Sequence, residues 1–128
     1  MNKYGQAALK AVDLIKSKRA NTPETAWEMA TTEIFGAGKF GQSKGCPRNT
    51  FLALCETGKV NGIKSGVYTR AKKTREYAIK ALELISDNPS LSNDSKTLWN
   101  RIMGGIAKKH NSQMDVVLAL WDKGFIVN

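Results

Sequence analysis

The chain has 128 residues and a net charge of +9, with 20 lysines and arginines against 11 aspartates and glutamates. Hydrophobic residues make up 41% of it and charged residues 24%, a balance that allows one compact core and excludes a disordered chain. There is no apolar run of the roughly 20 residues that span a bilayer, and no signal-peptide pattern, so we expect a cytoplasmic protein without a membrane partner.

The first half of the chain predicts three helices. An apolar stripe at helical spacing predicts the first over 5–18. The second covers about 23–35, and Thr22 is a suitable N-terminal cap for it. The third covers about 47–57 and ends before Gly58, because glycine is the usual residue just past a helix end.

The connection between the halves is a basic linker over 64–73. An Asn-Gly pair at 61–62 is a strong signal for a tight turn between strands, so a short β-hairpin is expected near 59–70. The second half then predicts three more helices, which cover 75–86, about 94–108 and 113–123. A pair of glycines, Gly104 and Gly105, is expected to kink or shorten the second of these.

Three blocks of sequence recur in the same order in the two halves. The matching pairs are 8–15 with 78–85, Trp27 with Trp99, and 52–54 with 118–120. Such self-similarity marks a repeated supersecondary unit. We therefore predict an all-α fold of six helices, arranged as two tandem three-helix repeats that are winged-helix-like or helix-turn-helix-like. The repeats are the halves 1–63 and 74–128, packed into a single domain over 1–128.

Two basic stretches, 36–50 and 59–75, contain no acidic residue. Cations interleaved with aromatic side chains suit contact with phosphates and stacking on bases. A solvated surface that keeps the protein soluble is the competing interpretation. The residues predicted to bind nucleic acid are Lys39, Phe40, Lys44, Arg48, Lys59, Lys64, Tyr68, Arg70, Lys72, Lys73 and Arg75.

The segment 106–126 resembles the two helices of a winged-helix motif, followed by a glycine. Its last helix, however, carries only Asp115, Asp122 and Lys123 as charged residues. A helix that reads the major groove offers arginine, lysine, asparagine or glutamine to base edges. The favoured interpretation is therefore a core helix that stops at Gly124.

Cysteine and histidine are scarce, with Cys46, Cys55 and His110 as the whole set. Their spacing matches no zinc site and no disulfide framework, so we predict no metal, no cofactor and free thiols. Cys46 lies at a predicted helix start, where a thiol pKa is lowered, which leaves a small cysteine enzyme as a third hypothesis. A nucleophile also needs a positioned base, and for this reason a non-enzymatic protein is preferred.

Two long stretches carry a family resemblance, "KGCPRNTFLALCETGKVNGI" at 44–63 and "HNSQMDVVLALWDKGFI" at 110–126. With "YTR" at 68–70 and "NPSL" at 88–91 between them, the chain resembles a family of small bacterial proteins of unknown function. The resemblance covers nearly the whole chain. It implies a bacterial origin and a stand-alone domain, and it implies no activity and no catalytic residue.

Two functions remain open at this point. The leading hypothesis is a non-enzymatic nucleic-acid-binding or regulatory protein of bacterial or mobile-element origin, which contacts DNA or RNA phosphates through the basic loop and linker. The alternative is a protein–protein adaptor or inhibitor that presents its basic face to an acidic partner.

Overall fold

The computed structural model describes residues 2–39, 41, 44–106 and 112–127, and within them the chain is all-α, as predicted. The helices are α1 (Lys3–Lys16), α2 (Pro23–Phe35), α3 (Gly45–Glu56), α4 (Lys72–Asp87), α5 (Ser95–Met103) and α6 (Gln113–Asp122), with a 3₁₀ turn (Pro89–Asn93) between α4 and α5. No helix in these ranges has the length and apolar character required to cross a bilayer.

Helix boundaries follow local signals in the sequence. The Thr22 hydroxyl accepts a hydrogen bond from the backbone N–H of Thr25 at 3.2 Å, so α2 begins where the cap predicts. The fifth helix is shorter than predicted, because Gly104 adopts a left-handed conformation (φ 57°) directly after Met103. Gly58 and Gly124 have nearly the same left-handed φ, 75° and 74°, just past α3 and α6.

The two halves interlock. Helix α1 packs against α2 and α6, while α4 packs against α3, and α3 and α6 contact each other. Thus the first helix of each half lies against the third helix of the other half. This exchange is compatible with two copies of one unit related by a pseudo-twofold axis, and the division into repeats at 1–63 and 74–128 stays a prediction.

A short antiparallel contact joins the chain after α3 to the chain after α6. Val60 forms a β-bridge with Ile126, in which the Asn61 N–H donates to the Phe125 carbonyl at 2.7 Å. The Val127 N–H donates to the Lys59 carbonyl at 2.6 Å. These two hydrogen bonds are equivalent under the predicted repeat, because adding 66 to the number of Asn61 gives Val127 and adding 66 to that of Lys59 gives Phe125. The same offset relates Val60 to Ile126.

The hairpin expected near 59–70 is wrong. Val60 pairs with Ile126, and the Ile63 N–H donates to the Val60 carbonyl in a tight turn. The side chains of Val60 and Ile63 are buried in the core, whereas a two-stranded hairpin this short would leave them exposed. The amides of Tyr68 and Thr69, which a ladder would use, donate instead to a side chain of α3.

One hydrophobic cluster contains the buried residues of both halves. In the first half Trp27 stacks on Phe51 with ring centroids 5.2 Å apart, and in the second Tyr77 meets Trp99 edge-on at 5.6 Å. Trp27 and Trp99, which the predicted repeat pairs, are therefore both core residues.

Candidate functional site

The linker after α3 is fastened to the end of that helix by one carboxylate. Glu56 is the last residue of α3, and its side chain is only 10% exposed. Its Oε1 accepts the backbone N–H groups of Tyr68 and Thr69 at 2.7 and 2.8 Å. Because two consecutive amides converge on one oxygen, this part of the linker has a fixed position relative to α3.

Arg75, from the first turn of α4, completes this anchor. Its Nε donates to Glu56 Oε2 at 2.8 Å, and its Nη2 donates to the Thr69 carbonyl at 2.6 Å. Burial alone would raise the pKa of Glu56, but the hydrogen bonds from Arg75, Thr69 and Tyr68 and the Arg75 charge outweigh it and hold that pKa below its usual value. The carboxylate is therefore ionised at neutral pH.

A second set of contacts ties the linker to the body of α3. The Thr69 hydroxyl donates to Asn49 Oδ1 at 3.0 Å and accepts the N–H of Ala71 at 3.1 Å. The Tyr68 hydroxyl donates to the Lys64 carbonyl at 2.6 Å. The basic linker is thus an ordered strap across α3, held to that helix at Tyr68 and Thr69 and braced internally by the Tyr68 hydroxyl.

A cavity of about 550 Å³ opens where this strap meets α2 and α3. Two arginines, Arg48 from α3 and Arg70 from the linker, contribute to its wall, and among the described residues neither forms an ion pair. An exposed valine, Val67, also lines it, with 86% of its surface accessible. The lining residues are Glu24, Arg48, Asn49, Val67, Tyr68, Thr69, Arg70 and Ala71.

The acidic member of the cavity wall is Glu24, in the first turn of α2. Its Oε1 is buried and accepts no hydrogen bond from any described residue. The pKa of the neighbouring Tyr68 phenol is raised by burial, and Cys55, Glu24 and Glu56 raise it further. The wall of the cavity therefore combines two arginines and a neutral phenol with one glutamate.

Burial, Glu24 and Glu56 also raise the pKa of the Cys55 thiol, which is fully buried. At neutral pH this thiol is protonated and packed in the core, as its apolar neighbours in the sequence suggest. The other cysteine, Cys46, is half-buried in the first turn of α3. His110 lies outside the described residues. In the part of the chain that the structure describes, no three His, Cys, Asp or Glu side chains are placed to hold a metal ion.

The structure brings together only part of the predicted nucleic-acid-binding set. Arg48, Tyr68 and Arg70, which come from two separate basic stretches, line the same cavity. Lys64 lies exposed at one end of the strap, and Lys72 and Lys73 lie exposed at the other.

The remaining predicted residues lie elsewhere or have other partners. Arg75 is engaged by Glu56, with its side chain 32% exposed. The Lys44 ammonium lies 5.8 Å from the ring centroid of Tyr4 on α1. Lys59 is exposed beside the β-bridge, and Lys39 is exposed in the loop after α2. Phe40 lies outside the described residues. That any of these residues contacts nucleic acid stays a prediction.

Sequence reasoning missed three polar residues of the site, Glu24, Asn49 and Glu56. Glu24 and Asn49 lie on different helices and become neighbours of the linker only through folding. Glu56 offered one signal, since it is the last acid before an acid-free stretch of cations. A buried carboxylate requires a cation or several donors, and the next residues along the chain supply both.

The comparisons with known proteins give one family match and no activity. Among curated proteins and among solved structures, none matches this chain. One family, described as a family of unknown function (DUF6979), matches residues 1–127. Because the match covers nearly every residue, including both halves and the strap between them, the chain belongs to this family of unknown function.

Proposed function

We propose that this protein is a non-enzymatic nucleic-acid-binding or regulatory protein, of bacterial or mobile-element origin, that works in the cytoplasm. It contacts the phosphate backbone of DNA or RNA at the cavity formed by the linker with α2 and α3. The observation that carries the proposal is the convergence of Arg48 and Arg70 on one cavity, where neither forms an ion pair with a described residue.

Charge and geometry both support this assignment. A guanidinium without an ion pair is available for two parallel hydrogen bonds to a phosphate. The exposed cations at the ends of the strap, Lys64, Lys72 and Lys73, extend the same charge along the surface. The net charge of +9 attracts polyanions from a distance, and salt screens this attraction.

A fluorescence titration with single-stranded and double-stranded DNA and RNA, at low and near-physiological salt, tests the proposal. The double variant Arg48→Ala/Arg70→Ala should bind at least about tenfold more weakly at low salt, because each arginine donates charge-assisted hydrogen bonds. With single strands, the slope of log affinity against log salt should fall by about 1.4, since each lost phosphate contact removes about 0.7.

The matched control is Arg101→Ala/Lys123→Ala, which removes the same charge from exposed positions on α5 and just past α6. We expect it to keep most of the affinity. Equal losses in both double variants would show that net charge alone drives binding. Absence of binding by the unmodified protein at low salt would refute the proposal.

The alternative function is a protein–protein adaptor or inhibitor, and one observation favours it. Val67 is 86% exposed beside Arg70, and protein–protein interfaces combine an apolar centre with a polar rim and are enriched in arginine. A pull-down from nuclease-treated extract separates the two functions. A protein partner that survives nuclease treatment and is lost in Arg48→Ala/Arg70→Ala would favour the adaptor.

A further inference from the structure

We propose that Glu56 is a positioning residue of the proposed nucleic-acid site, and that it holds the strap so that Arg70 stays at the cavity. The inference rests on the proposed function and adds to it the residue on which the geometry of the site depends. Glu56 ends α3 and does not line the cavity, whereas Arg70 does. A carboxylate that itself repels phosphate would therefore strengthen the binding of a polyanion.

Arg70 depends on the strap for its position. It lies between Ile63 and α4, in a part of the strap that forms no helix. It is exposed and forms no ion pair with a described residue, whereas Arg48 is held by the backbone of α3. A ligand that binds through an unsupported segment must also order that segment, at a cost in conformational entropy. A segment that is already fixed avoids this cost and binds more tightly.

The peptide groups on both sides of Arg70 are held by hydrogen bonds. Before it, the Thr69 carbonyl accepts from Arg75 Nη2 at 2.6 Å. After it, the Ala71 N–H donates to the Thr69 hydroxyl at 3.1 Å. Neither bond uses the guanidinium of Arg70, so the backbone of this residue is fixed while its side chain stays available to a ligand.

These hydrogen bonds depend in turn on Glu56. Its Oε1 accepts the Thr69 N–H at 2.8 Å, and its Oε2 accepts Arg75 Nε at 2.8 Å. One carboxylate thus positions both residues that hold the backbone of Arg70. Because the Glu56 side chain is only 10% exposed, water competes little for these bonds. Loss of the carboxylate would release the strap beside the cavity.

The variant Glu56→Gln gives a test in which charge and position predict opposite results. It adds one to the net charge of +9 and frees the Arg75 guanidinium, so charge alone predicts tighter binding of a polyanion. We expect binding of a deoxythymidine oligonucleotide at low salt to be at least about fivefold weaker, because the phosphate contact of Arg70 is lost. The slope of log affinity against log salt should fall by about 0.7.

Double variants show whether Glu56 acts through Arg70. In an Arg70→Ala background, Glu56→Gln should change the affinity by less than about twofold, because no guanidinium is left there to misplace. In an Arg48→Ala background the fivefold loss should persist, since α3 holds that residue independently. The control is Asp122→Asn, which makes the same charge change at the exposed end of α6 and should not weaken binding.

A second variant, Glu56→Asp, gives the answer even if Glu56→Gln fails to fold. It keeps the net charge and the counter-charge of Arg75, but its carboxylate is one methylene shorter. It therefore reaches the Thr69 amide only if the strap moves, and Arg70 moves with the strap. We expect a loss of affinity of at least about threefold, which again disappears in the Arg70→Ala background. Unchanged affinity in folded Glu56→Asp would contradict the positioning role.

The outcomes separate this inference from the proposed function. Binding that is unchanged or tighter in Glu56→Gln, and still depends on Arg48 and Arg70, overturns the positioning role and leaves the proposed function standing. A loss that is equally large with and without Arg70 also overturns it, because Glu56 would then act on the whole fold. Absence of binding by the unmodified protein at low salt overturns both proposals.

Discussion

The Glu56 carboxylate receives donors from Tyr68, Thr69 and Arg75, all in a segment whose composition predicts a solvated linker. The predicted repeat pairs it with Asp122 at the end of α6, which is exposed. Helices α3 and α6 therefore end with an acid in different environments, and Glu56 is the acid that fastens the strap.

Replacing Glu56 by glutamine should lower the free energy of unfolding at pH 7 by about 1–3 kcal/mol, the value of hydrogen bonds to a charged group. The amide keeps one acceptor but leaves Arg75 without its counter-charge. Chemical denaturation of the two proteins measures the difference. Asp122→Asn is the matched control and should change stability by less than about 0.5 kcal/mol, because that side chain is exposed.

The difference in stability between the unmodified protein and Glu56→Gln should also depend on pH. The pKa of Glu56 is lower in the folded protein than in the unfolded chain, where it is about 4.3. Its contribution to stability is therefore complete above that value and is lost as the pH falls through the folded pKa. The stability gap between the unmodified protein and Glu56→Gln should narrow in acid. A gap that stays constant down to pH 2 would contradict the ion pair.

Among the elements, Gly58 and Gly124 follow the ends of α3 and α6 with the same backbone conformation but with different surroundings. A Cβ at Gly58 would lie 3.1 Å from the Cβ of Ser65 in the linker, whereas one at Gly124 meets no atom of the described residues within 4 Å. Both have positive φ, which costs an L-residue roughly 1–2 kcal/mol.

We therefore expect Gly124→Ala to lower stability by about 1 kcal/mol and Gly58→Ala to lower it by about 2 kcal/mol or more. The excess comes from the strap, since Ser65 must move to admit a methyl group. Thermal unfolding of both variants gives the comparison. Equal losses of stability in the two variants would mean that Ser65 of the linker does not pack closely against Gly58 at the end of α3.

Elements with local signals were predictable, and those that depend on distant partners were not. Thr22 places the start of α2 correctly because its hydroxyl bonds a residue three positions on. The prediction of a hairpin is wrong because Val60 pairs with Ile126, and a local sequence pattern does not indicate a partner 66 residues away. The repeat offset of 66 pairs the same two residues, but self-similarity predicts equivalence and does not predict contact.

For the whole molecule, the sequence predicts that the surface is positively charged, and the structure shows where those charges meet in a cavity. Cations at Arg48 and Arg70 lie in two stretches of chain, and folding brings them to one cavity. Glu24 belongs to neither stretch, because it lies on the helix before them. Charge can be counted along a chain, but a cavity wall drawn from α2, α3 and the linker depends on how the helices pack.

We propose that nucleic acid binds at this cavity, and an NMR titration of the ¹⁵N-labelled protein with a single-stranded oligonucleotide tests this claim. The amides of Glu24, Asn49 and 67–71 should shift first and furthest, while those of α5 stay unchanged. Shifts confined to α5 and α6, or spread evenly over all exposed cations, would contradict the claim.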